Sequence, residues 1–208
     1  MSLSEPVWTN GSELRVFSVK GKDARPYFED LARLRIELFR EFPYLYEGSV
    51  EYEKEYLETY FRCPQAHILL VFSGHAVVGF SSSIPLAHEC SEIRRPFEVC
   101  GIDLGRYLYL GEAMLEKAHR GQGILRVFFQ CQERAALDGG MPFTTLMTVD
   151  RPDDHPLRPA DHVSMDIMLE HFGYARIPDC AVTMEWPQVD TGSIELNALS
   201  LWARDLRA

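Results

Sequence analysis

The spacing of apolar positions changes several times along the chain. Residues 12–20, SELRVFSVK, alternate Leu14, Val16 and Ser18 against Arg15 and Phe17, the two-residue period of a strand. From Asp23 to about Phe42 the period lengthens. Phe28, Leu31, Leu34, Leu38 and Phe42 recur every three to four residues and share one helix face. Pro26 suits the first turn of that helix. PYLYEG (43–48) interrupts it, and Tyr52, Tyr56, Leu57 and Tyr60 mark a second helix over about Val50–Arg62. Two apolar runs, 67–74 and 76–86, meet at a short Ser-Gly-His turn and read as a hairpin. Residues 88–106 are mixed and polar, an insertion with a short helix near Ser91–Val99. YLYLGEAML (107–115) is a strong strand; a glycine-containing loop and a helix over 123–138 follow, closed by Asp138-Gly139-Gly140. FTTLMTVD (143–150) is another strand. A proline-rich loop, RPDDHPLRPADH, leads to a helix with Met165, Met168, Leu169 and Phe172 on one face. YARIP and AVTMEW are two short closing strands. Ile194–Leu206 reads as a terminal amphipathic segment, a docking helix within the chain or across a homodimer.

The order is β-α-α-β-β-(insert)-β-α-β-α-β-β. That predicts a mixed α/β (α+β) domain with one strand–loop–helix unit at its centre. A single domain is expected over 1–186, with 187–208 as an extension.

Charge narrows the partners. There are 31 Asp and Glu against 21 Lys and Arg, a formal net charge of −10. Such a surface repels phosphate backbones, so no nucleic-acid partner is expected, and it favours cationic molecules such as amines. No apolar run approaches the roughly 20 residues that span a bilayer, so no membrane partner is expected either. The five cysteines (Cys63, Cys90, Cys100, Cys131, Cys180) include no C-x-x-C, and no signal pattern opens the chain. Free thiols in a cytoplasmic protein are the expectation.

Candidate chemistry centres on EKAHRGQGIL (116–125). Glycines at a helix start let backbone N–H groups approach an anion, with the helix dipole behind them. Arg120 can add a charged donor. The stretch is neither G-x-x-x-x-G-K-[ST] nor G-x-G-x-x-G, so it is no nucleotide P-loop or dinucleotide fingerprint. By itself it is an anion cradle or an ordinary turn.

Set between its strand and helix, the stretch resembles the GNAT acetyltransferase superfamily. Members carry a loop of the form Q/R-x-x-G-x-G/A that holds the pyrophosphate of acetyl-CoA. Arg120-Gly121-Gln122-Gly123-Ile124-Leu125 fits except at Leu125, where Gly or Ala is usual. A frame two residues earlier keeps both glycines and puts Ala118 at the Gln/Arg position. HRGQGI is close to the family's YRGKGIG, and MLEHFGY (168–174) looks like its LYEKLGF. The resemblance implies a splayed mixed sheet flanked by helices, acetyl-CoA as cofactor, and direct N-acetyl transfer to a small-molecule or peptide amine. The alternative is a non-catalytic acyl-CoA-binding sensor domain.

Several site residues follow from it. Thioester aminolysis needs a neutral amine, which for a lysine-like group costs about 4.6 kcal/mol at pH 7, so a base is needed. Glu112, inside the strand 107–115, is the candidate base; the other reading is a solvent-facing strand residue. The resemblance points to the N–H groups of Met114 and Leu115 for the thioester carbonyl, and to Arg120, Gly121, Gln122, Gly123, Ile124 and Leu125 for the pyrophosphate. The family's usual proton-donating tyrosine falls at Leu169, which leaves Tyr174 or His162 as substitutes. His162 also stands where many members have a coenzyme-contacting Asn, at the expected helix start. The 40–48 segment corresponds to part of the acceptor pocket, with Arg40, Glu41, Tyr44, Tyr46 and Glu47 as candidate lining. DDHPLRPADH is rich in Asp and His but has no H-E-x-x-H or paired-Cys spacing, so no metal is expected.

Overall fold

A computed structural model describes residues 3–11, 13–180 and 182–207. In chain order its elements are β1 (Trp8–Thr9), β2 (Leu14–Lys20), α1 (Gly21–Ala24), α2 (Phe28–Leu38), α3 (Val50–Arg62), β3 (His67–Ser73), β4 (Ala76–Pro85), α4 (Ser91–Val99), β5 (Tyr107–Leu115), α5 (Ile124–Asp138), β6 (Phe143–Val149), α6 (Met165–His171), β7 (Ala175–Arg176), β8 (Val182–Pro187) and β9 (Ile194–Asp205). Among the described residues the strands form one sheet in the order β1-β2-β3-β4-β5-β6-β9-β7, with β8 also paired to β9. All pairings are antiparallel except β5 with β6.

The run HILLVFS carries no polar alternation because both its faces are covered. Ile68, Leu70 and Phe72 join the core beneath α2 and α3, with Leu31, Leu34, Leu57 and Tyr60. Leu69 and Val71 pack on the opposite side against Ile124, Val127 and Phe128 of α5. A third cluster, with Leu169, Tyr174 and Trp202, seats α6 against β5, β6 and β9.

Two expectations are corrected here. Residues 194–205 are the strand β9, not a docking helix, and β9 is built into the sheet rather than appended to it. It pairs with β6 over Leu199–Asp205 and with β8 over Ile194–Leu199. Leu196, Leu199, Trp202 and Leu206 fit a helical spacing, but burial is that of a strand: Asn197 and Leu199 are buried while Ile194 and Leu196 are exposed, and Leu199–Trp202 are buried without a break, where both faces are covered. Pairing along its whole length, with β8 over the first half and β6 over the second, outweighs the local pattern. The second correction is that Cys100 and Cys180 form a disulfide, with Cα atoms 5.8 Å apart, while Cys63, Cys90 and Cys131 are free. The pair lies 80 residues apart in sequence, so no local spacing announces it.

The feature that positions the site is a divergence. β5 and β6 pair only from Tyr107–Tyr109 to Phe143–Thr145, then separate. On its other edge β5 carries a bulge, since the β4 register slips between Ser81 and Ser83 and sets Gly111 and Glu112 opposite Ser82.

Candidate active site

Gly111 allows the bulge. A Cβ there would overlap the Tyr60 hydroxyl and stand 2.7 Å from Ser82 Oγ. With that space kept free, β5 turns the Glu112 side chain inward, where it is 5 % exposed. The Glu112 N–H donates to Ser82 Oγ at 3.3 Å, and the Ser82 hydroxyl donates back to the carboxylate. The other carboxylate oxygen accepts from Arg35 of α2, whose Nε donates to Glu53 of α3. The guanidinium also lies over Tyr56, 4.1 Å from its centroid, and 5.0 Å from that of Phe39.

This network is buried and carries unbalanced charge. Glu53 is fully buried and Arg35 nearly so. One guanidinium faces two carboxylates, and a third, Glu89, lies nearby under the hydroxyls of Tyr60 (2.6 Å) and Tyr56 (3.3 Å). Burial pushes the Glu53 carboxyl above its ordinary range, against the opposing pull of Arg35. Burial also raises Glu89, with its hydrogen bonds opposing.

Two cavities meet at this point. One, of about 300 Å³, opens between the diverging strands and is lined by α5, α6 and the 151–166 segment. The other, of about 390 Å³, lies on the α2–α3 side against β8. Phe39, Tyr44, Gly111, Glu112 and Met147 line both and form the partition between them. The 40–48 segment that shapes the partition is tied across the sheet. Arg151 Nε donates to Pro43 O at 2.8 Å, and Trp186 Nε1 donates to Tyr44 O at 3.1 Å.

The glycine loop sits at the end of β5. Gly121 and Gly123 have φ near +80°, with open space where a Cβ would stand. Gly123 caps α5, a helix of 15 residues, without a side-chain cap. Among the described residues the N–H groups of 121–125 donate to no protein atom, while those of Arg120, Arg126 and Val127 are bonded. Five successive free donors at a helix N-terminus make an anion-binding surface. Leu125 does not cover them; it lines the first cavity and packs on the α6-side cluster.

Strand pairing sorts the expected carbonyl donors. Glu116 N donates to Val78 O at 2.9 Å, and Phe80 pairs with Met114 two residues on. Alternate residues of an antiparallel strand face one neighbour, so the Met114 N–H is turned to β4. Leu115 faces the divergence instead, and its carbonyl accepts from Arg120 Nε at 2.8 Å. Of the expected pair, Leu115 therefore has its N–H directed away from β4, while Met114 has its N–H turned to β4 and itself lines the first cavity.

Other expected residues divide in the same way. Tyr44, Tyr46 and Glu47 line the second cavity; Arg40 lies outside both and pairs with Glu47. Arg120 also donates to Glu41, at 3.1 Å, so its charge is engaged within the protein. Gln122 accepts from Asn10 at 3.2 Å. His162 lines the first cavity, edge-on to Phe42 at 4.8 Å, with its pKa lowered by burial and then by Arg158. It does not start a helix, since α6 begins at Met165 with Ser164 as its cap. Tyr174 lines neither cavity. Its hydroxyl bonds Thr144 Oγ1 at 2.8 Å inside the α6-side core, and burial raises its pKa. Leu169 is fully buried in that core.

Sequence reasoning missed Arg35, Glu53, Ser82 and Glu89. A signal existed for the first two. Arg35 stands four residues after Leu31, and Glu53 four before Leu57, so both fall on the apolar face of their helices. A charged residue in that phase is buried and needs a partner.

No family model matches the sequence, and no curated protein matches it. Solved structures do. An acetyltransferase of the GNAT family from Staphylococcus aureus Mu50 is 16% identical with a TM-score of 0.57, over 93% of this chain and 99% of that one. A ribosomal-protein-alanine N-acetyltransferase from Brucella melitensis is 16% identical with a TM-score of 0.55, over 92% and 99%. An acetyltransferase from Salmonella typhimurium, solved with its cofactor acetyl-CoA, is 13% identical with a TM-score of 0.55, over 94% and 95%. The chain has the fold of the GNAT acetyltransferases.

Proposed function

We propose that the protein transfers an acetyl group from acetyl-CoA to a primary amine by direct attack in a ternary complex. The observation that carries this reading is the partition. Glu112 lies in the one wall that two separate cavities share, where a thioester entering from one side meets an amine entering from the other. Bound acetyl-CoA supplies the activated acetyl group; the chain's residues hold and deprotonate around it.

The free N–H groups of 121–125 receive the pyrophosphate, and the Leu115 N–H edge receives the thioester carbonyl. Glu112, held by Arg35 and Ser82, takes the amine's proton directly or through a water. The new N–C bond forms as the C–S bond breaks, and the thiolate leaves with the electron pair. Tyr44 is the donor that returns a proton to sulfur. Tyr44 lies in the partition and, among the described residues, its hydroxyl makes no hydrogen bond; burial, with the charge of Glu112, pushes it up to about 12, so it holds its proton at neutral pH. It takes the place expected for Tyr174.

Thiol release with acetyl-CoA and a broad amine panel tests the reading. Turnover that depends on the amine supports it. Coenzyme binding without turnover on any amine would leave a binding domain instead. The loop is tested separately by Gly123→Val. A β-branched residue at φ +81° is strained by about 1–2 kcal/mol and crowds the donors. The expected result is acetyl-CoA affinity reduced at least about tenfold by calorimetry, with Tm lowered by only a few degrees.

A further inference from the structure

Resting on the acetyltransferase reading, we infer that the acceptor is a diamine: an amine with a second positive charge, a hydrocarbon body, and no carboxylate or phosphate. The second cavity has the chemistry for that and for little else. Among the described residues Arg35 is its only lining cation. Its Nε is bonded to Glu53, its Nη1 to Glu112, and its face covers Tyr56. No cation is left there to receive an acceptor's carboxylate or phosphate. The first cavity differs, being lined by Arg151, Arg158 and Arg176.

Glu112 lines the second cavity and Glu53 lies behind it on Arg35, so one guanidinium faces two carboxylates there, an excess that an entering ammonium balances. Its walls are aromatic. Tyr52 and Tyr56 stack at 6.4 Å with an interplanar angle of 8°, and Tyr44 and Trp186 lie 6.4 Å apart. These surfaces take methylene groups and cations alike. At the outer wall Glu92 and Glu185 are exposed, and among the described residues their carboxylates make neither a hydrogen bond nor an ion pair. Glu47, the other rim carboxylate, is taken by Arg40. A ligand with one ammonium at Glu112 and a second at Glu92 and Glu185 satisfies both ends of the cavity.

Three probes of similar length test this: 1,5-diaminopentane, pentylamine and 6-aminohexanoate. The expected order of kcat/KM is diamine over pentylamine by about tenfold, and diamine over 6-aminohexanoate by at least about a hundredfold. The double variant Glu92→Gln/Glu185→Gln is expected to lower kcat/KM for the diamine about tenfold more than for pentylamine. Equal or better use of 6-aminohexanoate overturns the inference and leaves the acetyltransferase reading intact. If acetyl-CoA binds and no probe is acetylated while another amine of the broad panel is, the inference fails; if no amine of the panel is acetylated, the acetyltransferase reading fails. Calorimetric titration of the same probes then reads the cavity alone, and equal affinity for the diamine and 6-aminohexanoate overturns the inference.

Discussion

Arg35→Met lowers the stability of the protein by about 3–5 kcal/mol, the usual cost of removing one partner from a buried ion pair. For a chain of 208 residues that is a Tm drop on the order of 10 °C. Methionine keeps much of the volume against Phe39 and Tyr56, so the loss is electrostatic rather than a cavity effect. Glu53 and Glu112 are left facing each other without a counter-charge. The pH dependence gives the sign. The Glu53 carboxyl already lies above its ordinary 4.5 in the folded state. A raised carboxyl binds its proton more tightly folded than unfolded, so it favours folding at acid pH and opposes it as pH rises from 4.5 through the folded value. Removing Arg35 removes the group that pulls that value down. The variant is therefore expected to lose most at pH 7 and less at pH 5, measured by urea unfolding at both. Adding Glu53→Gln restores part of the loss at pH 7. A deficit equal at the two pH values, with no rescue, shows that packing rather than charge explains Arg35.

This buried network also marks where sequence reading reached its limit. Local periods located nearly every element as far as α6, including the short helix Ser91–Val99 at its observed bounds. They did so because burial on one face imposes its spacing directly on the residues. β9 escaped because Leu196, Leu199 and Trp202 keep a helical spacing although they alternate faces of a strand, and only its pairing with β6 and β8 overrides that spacing. The glycine loop was legible because its donors are backbone groups and its requirement, φ near +80° at Gly121 and Gly123, is written in residue type. The acid–base site was half legible. Glu112 stood out as a carboxylate in an apolar strand. Its partners come from α2 and β4, up to 77 residues away, with Glu53 of α3 reached through Arg35, and no local spacing joins them. Tyr174 was the opposite case: the resemblance pointed to it, but its hydroxyl turns into the core toward Thr144.

Glu112→Gln separates chemistry from architecture. Glutamine keeps an oxygen for the Arg35 guanidinium, and its amide N–H can donate to the Ser82 hydroxyl oxygen, so the hydrogen-bonded frame survives with that one bond reversed. It also removes one of two negative charges facing a single cation, so a lower Tm is not expected. What it removes is the acceptor for the amine's proton. General-base catalysis contributes typically about 10²–10⁴-fold, and kcat is expected to fall by about 10²–10³ at pH 7 with acetyl-CoA affinity unchanged. The pH profile makes the assignment specific. Without a base, attack waits for the small fraction of amine that is already neutral, which grows about tenfold per pH unit below an amine pKa near 10.4. The variant's rate should therefore climb steeply between pH 7 and 9 and narrow its gap to the parent protein. A gap that stays constant over that range would mean that Glu112 positions groups without taking the proton. A rate at pH 7 equal to the parent's would move the base to another residue, and buried Glu89, reached from the acceptor cavity through the Tyr56 hydroxyl, is next in line.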